Sequence, residues 1–167
     1  MLIVTGTAFL ERRPTLAAAV FVAMIMAMPG PAAGKAHAAT LQDEQRCLAL
    51  TLYWEARGEG RAGMVAVGWT VLNRVRSPQF PGTPCRVVYQ GAETPPCQFS
   101  WWCDGKSDKP RDRKSWQFAR LVAAELLFDP PPDPTDGALY FHSASIRPPW
   151  RSKLAQTARI GAHVFYR

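Results

Sequence analysis

From Gln42 onward the apolar residues recur every three or four positions: Cys47, Leu48, Leu50, Thr51 and Trp54 mark the buried side of a helix predicted over 42–54. Thr40, three residues before Asp43, is placed to cap its start. The run ends on Glu55-Ala-Arg-Gly58. A glycine just past a helix is the usual left-handed cap, which puts Glu55 in the last turn. A short turn, 57–62, leads into a second predicted helix, 63–75. There Met64, Val65, Val67, Trp69, Val71, Leu72 and Val75 wrap most of the circumference, the pattern of a helix at the centre of a domain. Ser77-Pro78 stops it. A third helix is predicted over 115–128, with Trp116, Phe118, Ala119, Val122, Leu126 and Leu127 facing the core.

The stretches between have other patterns. Val87-Val88-Tyr89 is a short extended or helical piece. Residues 91–114 are rich in Pro, Gly and charge and predict a long loop, a length that in compact domains usually serves function. Asp129 to Gly137 holds four prolines in a rigid connector. Ala138 to His142 reads as a strand, Leu154 to Ile160 as a short helix ending at Gly161, and His163 to Tyr166 as a last strand. The fold class is α+β and helix-dominated: a single domain with a small β element and no internal repeat.

The first residues follow a different logic. Glu11-Arg-Arg13 precedes an apolar run, Leu16 to Met28, that is short for a membrane span and is followed by Pro29-Gly-Pro31. Ala36-His-Ala38 matches the small-x-small cleavage pattern, so residues 1–38 read as a signal peptide and 39–167 as the exported domain, in the periplasm or cell envelope. An uncleaved membrane anchor is the alternative, which the helix-breaking prolines disfavour. The whole chain has a formal charge of +7, and the part after Ala38 stays basic. That suits anionic envelope polymers; the scattered basic residues and the export signal argue against nucleic acid. The four cysteines, Cys47, Cys85, Cys97 and Cys103, all follow the leader. An even count in an exported chain predicts disulfides, with three pairings open and Cys85–Cys103 plus Cys47–Cys97 preferred. Zinc is the rival, but no CxxC pair occurs and His142 and His163 lack ligand spacing, so no metal or other cofactor is expected.

Taken in order, Tyr53-Trp-Glu-Ala-Arg-Gly-Glu59, Gly63-Met-Val-Ala-Val67, Leu72-Asn-Arg-Val75, Gln98-Phe-Ser-Trp101, Asp133-Pro-Thr-Asp-Gly-Ala-Leu-Tyr140 and Ile160-Gly-Ala-His163 form a specific series. It resembles the catalytic domain of bacterial cell wall hydrolases of the spore-cortex-lytic (SleB) type, over about Arg46 to Tyr166. The resemblance implies a partly lysozyme-like core, cleavage of peptidoglycan, and lytic transglycosylase chemistry in which the glutamate at Glu55 is the essential acid. The Trp- and Cys-rich segment from Cys97 to Cys103 and the lack of a separate peptidoglycan-binding repeat differ from the spore enzymes, and point to general envelope remodelling.

The residues themselves support this chemistry. In the last helical turn the macrodipole is negative, and Tyr53 and Trp54 flank the carboxylate; both effects keep Glu55 protonated, as a general acid requires. Glycosidases commonly use two carboxylates across the sugar. Glu59, four residues on, would approach from the same side as Glu55, and Arg57 and Glu59 read as a local ion pair or turn hydrogen bonds. A single-acid route therefore fits better, with Asp104 as the second-carboxylate candidate should water be the nucleophile. Gln98 and Ser100 are placed to hydrogen-bond sugar substituents, Trp101 or Trp102 to stack on a ring, and Tyr140 to orient Glu55 or an acetamido group. Asn73 either caps its turn or hydrogen-bonds near the site. His142 and His163 are read as structural. The expected protein is a monomer without lasting membrane insertion that cleaves glycan strands between N-acetylmuramic acid and N-acetylglucosamine. A zinc- or cysteine-dependent amidase and a non-catalytic glycan-binding module are the alternatives.

Overall fold

The computed structural model describes the backbone of residues 32–92 and 96–167, and side chains from Thr40 onward. Most of the expected leader, residues 1–31, lies outside the described residues. Helix α1 (Ala32–Ala56) is followed by α2 (Gly60–Arg76), the short α3 (Pro84–Val88) and α4 (Arg113–Phe128); three strands follow, β1 (Tyr140–Ser143), β2 (Gln156–Ile160) and β3 (His163–Tyr166). Among the described residues no helix is long and apolar enough to cross a membrane.

Helix α2 is the central element, with residues from Gly63 to Arg74 buried on nearly every side, as its all-round apolar pattern requires. It packs against α1 and α4 through Leu48, Leu52, Met64, Val67, Val71, Val122 and Leu126, all fully buried. Each such side chain stabilises the fold by about 1.5–3 kcal/mol. Gly68 permits the closest approach: a Cβ there would collide with Leu126 and press on Leu52. Asp112 caps α4, its carboxylate accepting from the Lys114 and Ser115 backbone N–H groups at 2.9 and 3.3 Å.

Helix α1 runs through Thr40 rather than starting there. Gly58 is not left-handed; that conformation falls on Gly60 (φ 65°), and the turn closes by a hydrogen bond from the Glu59 N–H to the Ala56 carbonyl at 3.0 Å. Glu55 still occupies the last turn of α1. On α4, Phe118 turns outward at 38 % exposure instead of joining the core.

The strands form one antiparallel sheet in the order β1-β3-β2. The expected helix over 154–160 is instead a 3-10 turn, Pro149–Lys153, followed by β2. The apolar spacing of Leu154, Ala158 and Ile160 suits either element, and pairing with β3 through the tight turn at Gly161 (φ 58°) decides for the strand. The proline connector is organised by Asp133, whose carboxylate accepts from the Thr135 N–H and hydroxyl at 2.8 and 2.7 Å and from the Gly137 N–H at 3.0 Å.

The disulfides are Cys47–Cys85 and Cys97–Cys103, not the Cys85–Cys103 and Cys47–Cys97 pairs expected. Cys47 lies on the buried side of α1 where α3 packs, and Glu44 accepts from the Cys85 N–H at 2.7 Å, which brings those two together. The second bond closes a six-residue separation around the turn Ser100–Trp102.

Candidate active site

The end of α1, the loop 96–100, β1 and the segment after it enclose a groove of about 770 Å³. Glu55 lines it and, among the described residues, is the sole carboxylate that does so. The side chain is half-buried, and burial alone pushes its pKa from 4.5 up to about 7, with no neighbouring charge or hydrogen bond contributing. At neutral pH the carboxyl is therefore divided between its acid and base forms.

Gln98 and Ser100 line the same groove and are exposed, so their polar groups are free to meet a ligand. Tyr140 lines it from β1, packed against Phe80 at 6.1 Å and Trp150 at 6.0 Å between ring centres. The other three expected contacts lie elsewhere. Trp101 is buried and stacks on Trp54 at 6.5 Å. With Asp104 it lines a separate cavity of about 290 Å³. There Asp104 accepts from the Lys106 N–H at 2.9 Å and pairs with the Lys106 ammonium at 3.5 Å, so it does not stand across the groove from Glu55. The loop folds this way because the Trp54 indole donates to the Asp108 carbonyl at 3.3 Å and pins it over the far side of α1. Asn73 does not line the groove; its amide donates to Asp133 at 2.8 Å and to the Ala138 carbonyl at 3.2 Å, holding the connector to α2. Trp102 is half-buried, edge-on to Tyr89 at 4.8 Å.

Arg57 and Glu59 do not pair with each other. The Arg57 guanidinium donates to the Tyr53 hydroxyl at 3.1 Å, and Glu59 accepts from the Ala162 N–H at 2.7 Å. His142 and His163 both line the groove. In His142, Nδ1 donates to the Ser143 carbonyl at 2.8 Å, since a carbonyl can only accept, and Nε2 lies 3.0 Å from the Tyr166 hydroxyl. Together these two contacts fix the orientation of the ring. His163 is held below the usual histidine range by burial, with Glu59 opposing and His142 reinforcing the shift.

Arg74, Trp150 and Lys153 also line the groove, and sequence reasoning assigned none of them a role there. An arginine inside a helix that is otherwise apolar all round was a usable signal for the first. A tryptophan after Pro148-Pro149, in a segment with no helical or strand pattern, was one for the second. Lys153 carried none. Among the described residues no group of three or more His, Cys, Asp or Glu side chains is gathered as a metal would require.

The helix-rich domain thus sets the Glu55 carboxyl in a groove, with its pKa raised by burial. The family model for Cell Wall Hydrolase matches residues 58–166, and the chain belongs to that family. It is 33% identical over 123 residues to the spore cortex-lytic enzyme of Bacillus subtilis (strain 168), covering 72% of this chain and 36% of that protein. With the spore cortex-lytic enzyme of Halalkalibacterium halodurans it shares 34% over 119 residues, covering 71% and 33%. The chain thus spans about a third of the length of these curated relatives. Among solved structures, the catalytic domain of the Bacillus cereus SleB protein superposes with a TM-score of 0.57 at 31% identity, covering 75% of this chain and 91% of that one. The catalytic domain of the germination-specific lytic transglycosylase SleB from Bacillus anthracis gives 0.58 at 31%, covering 75% and 95%.

Proposed function

We propose that this chain cleaves the glycan strands of peptidoglycan between N-acetylmuramic acid and N-acetylglucosamine, as a lytic transglycosylase with Glu55 as its general acid and base. The observation that carries the reading is the Glu55 carboxyl, the one such group among the described residues of the groove, whose pKa is raised to about 7 by burial. A general acid works best when its pKa lies near the working pH. The Bacillus anthracis neighbour described as a lytic transglycosylase supports the reaction type.

Glu55 gives its proton to the glycosidic oxygen as the bond to the anomeric carbon breaks. The resulting carboxylate then takes the proton of the same sugar's 6-hydroxyl, whose oxygen closes onto the anomeric carbon. The product is a 1,6-anhydro ring, no water is consumed, and Glu55 returns to its acid form. An internal hydroxyl has a high effective molarity, so one carboxyl serves both steps, and a second across the groove is unnecessary. Gln98, Ser100 and Tyr140 hold the sugars, residues 1–38 act as the export leader, and the mature protein works as a monomer in the envelope.

The test is mass analysis of soluble fragments released from purified sacculi. Anhydromuropeptides that vanish with Glu55→Gln are expected. Reducing-end sugars would replace the transglycosylase with a hydrolase, and freed stem peptides would replace both with an amidase.

A further inference from the structure

Among the described residues Arg74 and Lys153 line the groove as cations, and they differ in kind. Lys153 is exposed and solvated. Arg74 is only 5% exposed. Its Nε donates to the Leu139 carbonyl at 2.7 Å, and its guanidinium lies 5.0 Å from the ring centre of Phe80, 5.5 Å from Tyr140 and 5.8 Å from Phe99. These contacts fix the position and tilt of the group. What it lacks is a counter-charge: among the described residues no carboxylate forms an ion pair with it, and Nη1 is buried without a hydrogen-bond partner. Burial lowers its pKa to about 10, Tyr140 acting in the opposite sense, so it stays a cation at neutral pH. Glu55 is not its partner, because no charge contributes to the Glu55 shift.

A buried cation with an unfilled donor is a cost to the fold. The aromatic rings offset part of it. The remainder can be met by a ligand that brings an anionic or strongly polar oxygen into the groove.

We propose that Arg74 is the groove's receptor for a carboxyl oxygen of the muramoyl unit, and so separates muramoyl strands from plain N-acetylglucosamine polymers. The proposal rests on the peptidoglycan reading above. An N-acetylglucosaminyl unit offers only hydroxyl and acetamido groups, whereas a muramoyl unit adds a lactyl carboxyl, free or in amide linkage to a stem peptide with carboxylates of its own. Either source presents a carboxylate oxygen to which the unpartnered Nη1 can donate a charge-assisted hydrogen bond. Tyr140 flanks the guanidinium and also lines the groove, so a shift of that ring opens the way to the buried donor.

The experiment measures binding to the Glu55→Gln protein by calorimetry, which removes turnover. Four tetrasaccharides are compared: alternating glucosaminyl–muramoyl strands with free lactyl carboxylates, the same with stem peptides attached, the first with its carboxyls reduced to alcohols, and the N-acetylglucosamine tetramer. The carboxylate-bearing forms should bind about ten- to a hundredfold more tightly than the two neutral ones, the range of a charge-assisted hydrogen bond. Tightest binding of the free lactyl form assigns the lactyl group, and tightest binding of the peptide form assigns the stem. Arg74→Gln in the same background should level all four. Equal binding of charged and neutral forms by the protein with native Arg74 overturns the proposal, and so does a preference that survives Arg74→Gln. The first comparison needs no Arg74 variant, so a variant that fails to fold does not blunt it. Should the native enzyme release nothing from sacculi, the peptidoglycan reading itself fails; release without carboxylate preference sinks only the role of Arg74.

Discussion

Glu59 accepts a hydrogen bond from the Ala162 N–H at 2.7 Å, joining two points 103 residues apart in sequence. It ties the turn just after Glu55 to the β2–β3 turn, whose next residue, His163, lines the groove. The slot is tight: a Cβ at Gly161 would strike the Glu59 carboxylate, and one at Gly63 its Cβ. Glu59 therefore sets the spacing between the acid-bearing helix end and the sheet.

Replacing Gly161 by Ala should lower stability by about 1–3 kcal/mol, since the residue is at φ 58° and the added carbon displaces Glu59. Glu59→Gln should be milder, near 1 kcal/mol, for a partly exposed charge-assisted bond. Both should lower kcat while leaving the pH midpoint of activity in place, because Glu59 contributes nothing to the Glu55 shift. Urea melts and pH–rate profiles of the two variants check this; a moved midpoint would show that Glu59 acts on the proton itself.

Glu55→Gln should reduce cleavage at least a thousandfold, towards the upper end of general acid–base effects. Activity of the native enzyme should be full below pH 7 and fall about tenfold per pH unit above it, as the acid form is lost. Stability has its own dependence. The folded pKa, about 7, lies above the unfolded value of 4.5, so burial of Glu55 costs nothing below pH 4.5. The cost grows between pH 4.5 and 7 and is complete above 7. Glu55→Gln should therefore be more stable than the native protein at pH 8 by roughly 1–3 kcal/mol, and equal to it at pH 4. Paired thermal melts at the two pH values measure this directly.

The two disulfides should separate stability from binding. Cys47–Cys85 spans 38 residues and joins α1 to α3, and the chain-entropy model gives its loss a cost of about 4 kcal/mol. Cys97–Cys103 spans six residues and carries Gln98 and Ser100, and on the same model its loss costs about 2 kcal/mol. Cys97→Ser with Cys103→Ser should raise KM more than it lowers the melting temperature, and the other pair of serines should do the reverse.

Much of this frame was legible because it rests on local pattern. An apolar period of 3.6 running into Glu55, then a second helix apolar all round, placed the acid at the end of a helix packed on the core. Legibility stopped where distant contacts decide. Trp101 and Asp104 lie in the loop beside Gln98 and Ser100, and contacts with Tyr53 and Trp54, distant in sequence, draw them into a separate cavity. Asn73 was ambiguous as a buried amide until the connector supplied Asp133 as its partner. Cysteine pairing is set by which elements pack, and spacing alone leaves three choices. Arg74 stands out locally as a charge on an apolar helix, but its burial under Phe80, Phe99 and Tyr140 depends on three separate segments.

Trp150 offers the most direct reading of how the groove holds a sugar. It is half-buried and lines the groove, with its ring 6.0 Å from Tyr140, 5.6 Å from His142 and 5.6 Å from Tyr166. Those contacts brace the indole, so a sugar ring that packs on it meets a surface already ordered and loses little freedom in doing so. Trp150→Ala should raise KM about tenfold, equivalent to roughly 1.4 kcal/mol of binding, with a smaller fall in kcat because Glu55 is untouched. Trp150→Phe keeps a flat apolar face and should recover most of the loss. Steady-state kinetics on solubilised glycan strands distinguish the outcomes: an equal fall in kcat for both variants, with KM unchanged, would make Trp150 a brace for β1 and not a platform for substrate.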